Sequence, residues 1–142
     1  MCQTVYNLYQ EKIVNENCNC PDNFLLLTWL PQLEVLKHAS LFISHCGMNS
    51  VNESIHYGVP LVCIPQESNQ PLVARRVADE LHLGIKLDRP TLTSERIRKS
   101  IHQVLNDESY RKNMNEISKV SRKYTGIKTA VEEISKYITE NN

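Results

Sequence analysis

The 142 residues carry no net charge, because sixteen lysines and arginines offset sixteen aspartates and glutamates. A neutral chain sets up no field to recruit nucleic acid or an anionic membrane surface. No apolar stretch approaches the roughly 20 residues that cross a bilayer as a helix. The start, Met1 to Thr4, lacks the basic region and apolar core of a secretory signal. Five cysteines, at 2, 18, 20, 46 and 63, make an odd set without the spacing of a disulfide framework. Reduced thiols and a cytoplasmic setting are therefore expected. Cys18 and Cys20 have no second pair, and the single residue between them is fewer than zinc sites use, so no metal is expected. Internal repeats and low-complexity segments are absent too. What remains fits one domain, residues 1–142, able to bury about two-thirds of its unfolded surface.

Apolar spacing organises that domain. Val5, Leu8, Tyr9 and Ile13 stand at roughly helical spacing over 3–13, and the polar stretch 15–23 reads as a loop. A strand is predicted over 24–28, a short helix over 33–38, a strand over 41–44 and a helix over 50–57 ended by Gly58. A strand at 60–64 follows. Pro71 suits the first turn of the next helix, which runs to about His82 and stops at Gly84. A last short strand covers 85–87. Strands alternating with helices over short connections predict a Rossmann-like parallel α/β sheet with right-handed crossovers. The rest is helical: from Thr93 to Leu105, from about Asp107 with Tyr110, Met114 and Ile117 inward, and from about Ile127 with Val131, Ile134, Tyr137 and Ile138. Residues 107–142 thus form a helical C-terminal extension of the domain.

The chemistry concentrates in a 42-residue run from Trp29 to Gln70. Three apolar strands there each lead into a loop with unusual side chains. The loops hold Trp29, Pro31 and Gln32; then His45, Gly47, Asn49, Ser50 and Glu53; then Asn69 and Gln70. In a parallel sheet these loops emerge along one edge, where open α/β folds bind ligands. An indole offers a flat apolar face to a base. Gly47 can let the backbone turn tightly beside a ligand. A helix beginning near Asn49 and Ser50 presents free amides and a positive dipole end to an anion. Each residue also has a plainer reading. Trp29 and His45 can be core side chains, Gln32 can cap the following helix, and Asn69 and Gln70 can be surface loop residues. Ser50 and Glu53 stand at capping-box spacing, which alone would explain both.

The pattern W-x-P-Q-x-x-V-L, F-I-S-H-C-G-M-N-S-x-x-E, G-V-P-L-V and N-Q-P resembles the nucleotide-sugar signature of UDP-dependent glycosyltransferases, especially their bacterial macrolide-glycosyltransferase-like branch. Weaker similarity runs through 74–77 and 83–84 to about Asn106. The resemblance implies one half of a two-Rossmann (GT-B) fold, the C-terminal donor-binding half, with its first strand missing. An edge left uncovered in this way invites pairing with another chain.

By the same resemblance Trp29 stacks on uracil, and Gln32 and Glu53 contact the ribose. His45, Gly47, Asn49 and Ser50 hold the diphosphate, while Asn69 and Gln70 meet the sugar. Asn69 stands where the family usually has aspartate, which keeps an acceptor, adds a donor and removes a charge. Met48 stands where plant relatives have tryptophan. The diphosphate would be held without a metal, consistent with the lack of an Asp-x-Asp pair. The implied reaction transfers a hexose, glucose being expected, from UDP-sugar to a hydroxyl of a small lipophilic acceptor. UDP-sugar is the substrate, and no cofactor is expected. The catalytic base belongs to an N-terminal acceptor domain not represented in these residues, so no catalytic residue is assigned. Cys46 has no acid–base partner in the pattern and is not assigned as a nucleophile. The alternatives are a donor subunit of a two-component enzyme, and a non-catalytic nucleotide-sugar-binding module or truncated remnant.

Overall fold

The computed structural model describes residues 5–7, 23–27, 29–67, 69–124 and 126–141. Most of the polar loop at 15–23, with Cys18 and Cys20, lies outside them. Among the described residues, five short strands fall into two all-parallel groups. β1 (Val5–Asn7) pairs with β2 (Leu25–Leu27), and β3 (Phe42–Ser44), β4 (Leu61–Cys63) and β5 (Gly84–Lys86) lie side by side in that order. Val5–Asn7 is therefore extended, not helical as its spacing predicts; residues 8–13 lie outside the described set. Pairing of Val5 with Leu25 through Asn7 with Leu27 supplies the backbone partners, and such tertiary pairing overrides a weak local preference.

β4 organises the core. Its three residues are fully buried, yet they serve opposite faces, as the strand's period of two requires. Leu61 and Cys63 join Cys46, Val51, Ala74, Val77, Leu83 and Met114. Val62 joins Leu87, Val104 and Tyr110. Both faces are covered by helices, the rule for parallel sheets. On the first face lie α2 (Met48–Tyr57), α3 (Gln70–Arg75) and α5 (Glu108–Ser121); on the second lies α4 (Ser94–Asn106). The short helix α1 (Gln32–Leu36) packs beside α2.

Three boundaries differ from the sequence expectation for physical reasons. α2 starts at Met48, two residues early, because Gly47 serves as its N-cap. It ends as expected at Gly58, whose φ of +72° is the left-handed conformation that glycine adopts without strain. The Ser118 hydroxyl in the last turn of α5 and the Arg122 Nε at its C-cap then donate to the His56 carbonyl at 3.0 and 2.7 Å. The helix after Pro71 does not stay α-helical to about His82. α3 widens into a π-helical turn over Arg76–Glu80, with the Leu81 N–H donating to the Arg76 carbonyl at 2.9 Å. The left-handed residue closing it is His82, at φ +54°. Two contacts hold it there: its ring stacks on Tyr110 at 5.0 Å and its carbonyl accepts from Asn113 Nδ2 at 3.2 Å. Gly84 instead opens β5.

α4 begins where Thr93 predicts, its hydroxyl accepting from the Arg96 N–H at 3.2 Å. Asp107 caps α5 through the Ser109 N–H at 2.9 Å, and the hydrogen bonds from Ser109 hold its carboxyl below the usual range. α6 (Ile127–Glu140) leaves Val131, Ile134, Tyr137 and Ile138 exposed. No helix among the described residues is long and apolar enough to cross a membrane.

Candidate functional site

The loops from β2 to α1, from β3 to α2 and from β4 to α3 all leave the C-terminal ends of parallel strands. They carry the polar groups singled out above, and several of these meet. Gln32, the first residue of α1, donates its side-chain amide to Glu53 Oε2 at 2.6 Å and to Ser50 Oγ at 3.4 Å. The bond to Glu53 is short and charge-assisted. It ties α1 to α2 and orients a half-buried carboxylate whose other oxygen remains available to accept. The capping box is overturned here. Ser50 is the third residue inside α2, Gly47 is the N-cap, and no side chain caps the helix start.

That uncapped start is the main anion-receptive feature. The first bond within α2 runs from the Val51 N–H to the Gly47 carbonyl at 3.1 Å. The N–H groups of Met48, Asn49 and Ser50 therefore have no partner inside the helix. The Asn49 side chain is exposed beside them, and the Ser50 side chain is half-buried.

Gly47 acts by a different device from the one its sequence suggests. Its φ and ψ are −61° and 140°, ordinary extended backbone. The left-handed residue in this turn is Cys46, at φ +64°. Ser44 latches it, with its buried hydroxyl accepting from the Cys46 N–H at 3.1 Å. What Gly47 supplies is room, because a Cβ there would lie 2.6 Å from His45 Nε2. The imidazole thus lies directly over the start of α2. A Gly47→Ala variant should displace His45 while leaving the backbone unstrained. Its melting temperature should change little, and its affinity for a diphosphate ligand should fall; titration calorimetry alongside thermal melts checks both.

At the third loop Gln70 turns its carbonyl oxygen inward. Oε1 accepts from the N–H groups of Gln66 and Glu67 at 2.9 and 3.1 Å, which shapes the loop and leaves the amide nitrogen to donate elsewhere. Asn69 caps α3 by backbone alone, and its side chain is exposed. Trp29 is 75% exposed on the loop entering α1. The side chains of Trp29, Asn49 and Asn69 hold no hydrogen bond among the described residues. The structure thus links Gln32, Ser50 and Glu53, and separately His45 and Gly47. It places Trp29 on the loop before α1, Asn49 in the first turn of α2, Asn69 at the N-cap of α3 and Gln70 at the first position of that helix.

Ser44 is the contributor that sequence reasoning did not single out. A lone hydroxyl closing an apolar strand just before the turn was the available signal. Cys46 is wholly buried, so no reagent reaches it from the helix start. Hydrogen bonding to Cys46 and burial push the Cys63 thiol up. Among the described residues no three His, Cys, Asp or Glu side chains are grouped to hold a metal ion. A cavity of about 300 Å³ between α2 and α3 is lined by Met48, Val51, Ile55, Leu72, Val73 and Val77, among others. Its walls are mainly apolar, with Asn52 and Arg76 the polar exceptions, whereas the polar groups singled out above gather at the loop ends.

Residues 2–127 match the family described as UDP-glucoronosyl and UDP-glucosyl transferase. An uncharacterized UDP-glucosyltransferase of Bacillus subtilis, YdhE, is 35% identical over 122 residues, 86% of this chain and 31% of its own length. The NDP-glycosyltransferase YjiC of the same organism is 39% identical over 121 residues, 85% of this chain and 31% of its own length. Among solved structures, Os79 from O. sativa in complex with UDP superposes with a TM-score of 0.79 at 28% identity. That superposition covers 97% of this chain and 33% of Os79. The chain therefore spans about a third of the length of these relatives, and the parallel α/β architecture is theirs.

Proposed function

Because the chain belongs to the UDP-glucoronosyl and UDP-glucosyl transferase family, we propose that it is the donor-binding C-terminal half of a cytoplasmic UDP-sugar glycosyltransferase. Residues 1–142 act as one domain, with 107–142 its helical extension. Trp29 stacks on uracil, and Gln32 and Glu53 take the ribose hydroxyls. His45, Asn49, Ser50 and the open amides over Gly47 hold the diphosphate, while Asn69 and Gln70 meet the sugar. The whole enzyme transfers a hexose, glucose by preference, to a hydroxyl of a small lipophilic acceptor with inversion.

One observation carries this reading. Gln32 holds the Glu53 carboxylate on the same helix whose uncapped start lies under His45. A carboxylate suits a diol, because its oxygens accept two hydroxyl protons. The helix start suits an anion. The spacing between them, from the first turn of α2 to the second, fits a ribose joined to a diphosphate. Charge growing on the departing UDP would meet fixed amides and an imidazole, so neutralisation needs no metal there.

Titration calorimetry with UDP, UMP and ADP tests the reading. UDP should bind more tightly than UMP, which lacks the second phosphate, and more tightly than ADP, whose base differs. Equal affinity for UDP and ADP would remove the uracil assignment; equal affinity for UDP and UMP would remove the assignment of the second phosphate to α2.

A further inference from the structure

Met48, Val51 and Ile55 recur along α2 at helical spacing, and Leu72, Val73 and Val77 recur along α3 and the π-helical turn that extends it. The two helices therefore turn apolar faces toward one another. These faces do not close, and the cavity between them holds about 300 Å³. An apolar cavity of about 150 Å³ accepts a benzene ring, so this one has room for about two fused rings. Val51 and Val77 are buried and form its floor, whereas Met48 and Leu72 are exposed and stand at its mouth.

Two polar side chains interrupt the apolar lining, Asn52 from α2 and Arg76 from the π-helical turn. Both are exposed and so belong to the rim. The Asn52 side chain holds no hydrogen bond among the described residues. Arg76 shares Glu80 with Arg75, each guanidinium lying 3.5 Å from a Glu80 oxygen. Exposed pairs of this kind hold weakly, and Arg75 keeps Glu80 partnered when Arg76 turns to a ligand. The wall on this side is itself unusual. Arg76 and Val77 open the π-helical turn, and Leu81, whose N–H closes it on the Arg76 carbonyl at 2.9 Å, lines the cavity too. Single π-helical turns occur frequently at functional sites. A concave apolar space with a few polar groups is the usual build of a small-molecule site.

We propose that this cavity is a second ligand site, separate from the loop ends, for a small aromatic carboxylate. The rings lie over Val51 and Val77 and against the Met48 thioether, which makes favourable contacts with aromatic edges. The carboxylate meets Arg76, whose planar guanidinium matches two oxygens at once, and accepts from the free Asn52 amide. The site adjoins the donor loops, because Met48 gives its side chain to the cavity and its N–H to the open start of α2. It stands whether or not UDP is the ligand of those loops.

Titration of the intact chain with 2-naphthoate, followed by NMR of side-chain methyl groups, tests the proposal. The methyls of Met48, Val51, Leu72 and Val77 should shift together along one saturable curve. Arg76→Gln should weaken 2-naphthoate by about tenfold, the usual worth of a hydrogen bond to a charged group, and should leave the weaker binding of neutral 2-naphthol unchanged. Leu72→Trp, at an exposed position, should fold, fill the mouth and abolish binding of both. Should either variant not fold, the wild-type titrations still decide the matter. Shifts that never saturate, or that spread over the exposed apolar residues of α6, would mean adsorption to apolar surface and overturn the proposal. Equal affinity for 2-naphthoate and 2-naphthol would overturn the carboxylate. The titration is repeated with UDP present, where 2-naphthoate should still bind. Its displacement by UDP would place it at the loop ends and overturn the second site. A chain that binds 2-naphthoate but not UDP would keep this site and remove the donor reading instead.

Discussion

UDP-glucose incubated with the chain alone and a panel of phenolic or macrolide-like acceptors should give no glycoside. Transfer needs an acceptor hydroxyl held in line with the anomeric carbon and a base within hydrogen-bond reach of that hydroxyl. Every side chain placed in the candidate site is proposed to serve the donor. Gln32 is committed to Glu53 and Ser50, Gln70 to the loop that it shapes, and His45 lies over Gly47 at the helix start. General-base catalysis alone contributes typically 10²–10⁴-fold, and orientation considerably more. Loss of both takes the rate to background. Supplying the acceptor-binding half, fused or as a separate polypeptide, should restore transfer. UDP release together with mass spectrometry of the products is the assay. Steady glycoside formation by the chain alone would contradict this division of labour.

Trp29→Ala should weaken UDP binding by about 1–3 kcal/mol, the usual worth of a base stacked on an aromatic ring, or roughly 5–150-fold. The structure makes this variant easy to interpret. Trp29 is 75% exposed, so truncation opens no cavity and the melting temperature should stay within about 2 °C, as surface changes usually allow. Calorimetry beside thermal melts separates the two effects. A core tryptophan would give the reverse pattern, a lower melting temperature with unchanged UDP affinity.

The parts of the fold legible in the sequence are those where local pattern and tertiary structure agree. β4 reads as an apolar run because the sheet buries both its faces, and α4 and α5 announce themselves through Thr93 and Asp107. Legibility fails where a distant partner decides. Val5–Asn7 has helical spacing but pairs with Leu25–Leu27. The turn at Cys46 takes a left-handed φ because Ser44 latches it, so the neighbouring glycine draws attention for the wrong reason. His82 displaces Gly84 as the closing residue because Tyr110 and Asn113, about thirty residues on, hold it. For the candidate site, the loops could be named from their side chains and the order of strands. The bond from Gln32 to Glu53 could not, since 21 residues separate the two. That bond bears directly on Glu53, because it gives the carboxylate an orienting partner that a capping box would not.

Three loops, separate in sequence, are proposed to form one UDP site at the C-terminal ends of β2, β3 and β4. Backbone amide chemical shifts followed by NMR during a UDP titration test it most directly. Amides of Gln32, of Met48 through Ser50, and of Gln70 should shift together along one binding curve, while those of the exposed helix α6 stay still. Shifts confined to a single loop, or separate curves for the three loops, would contradict it.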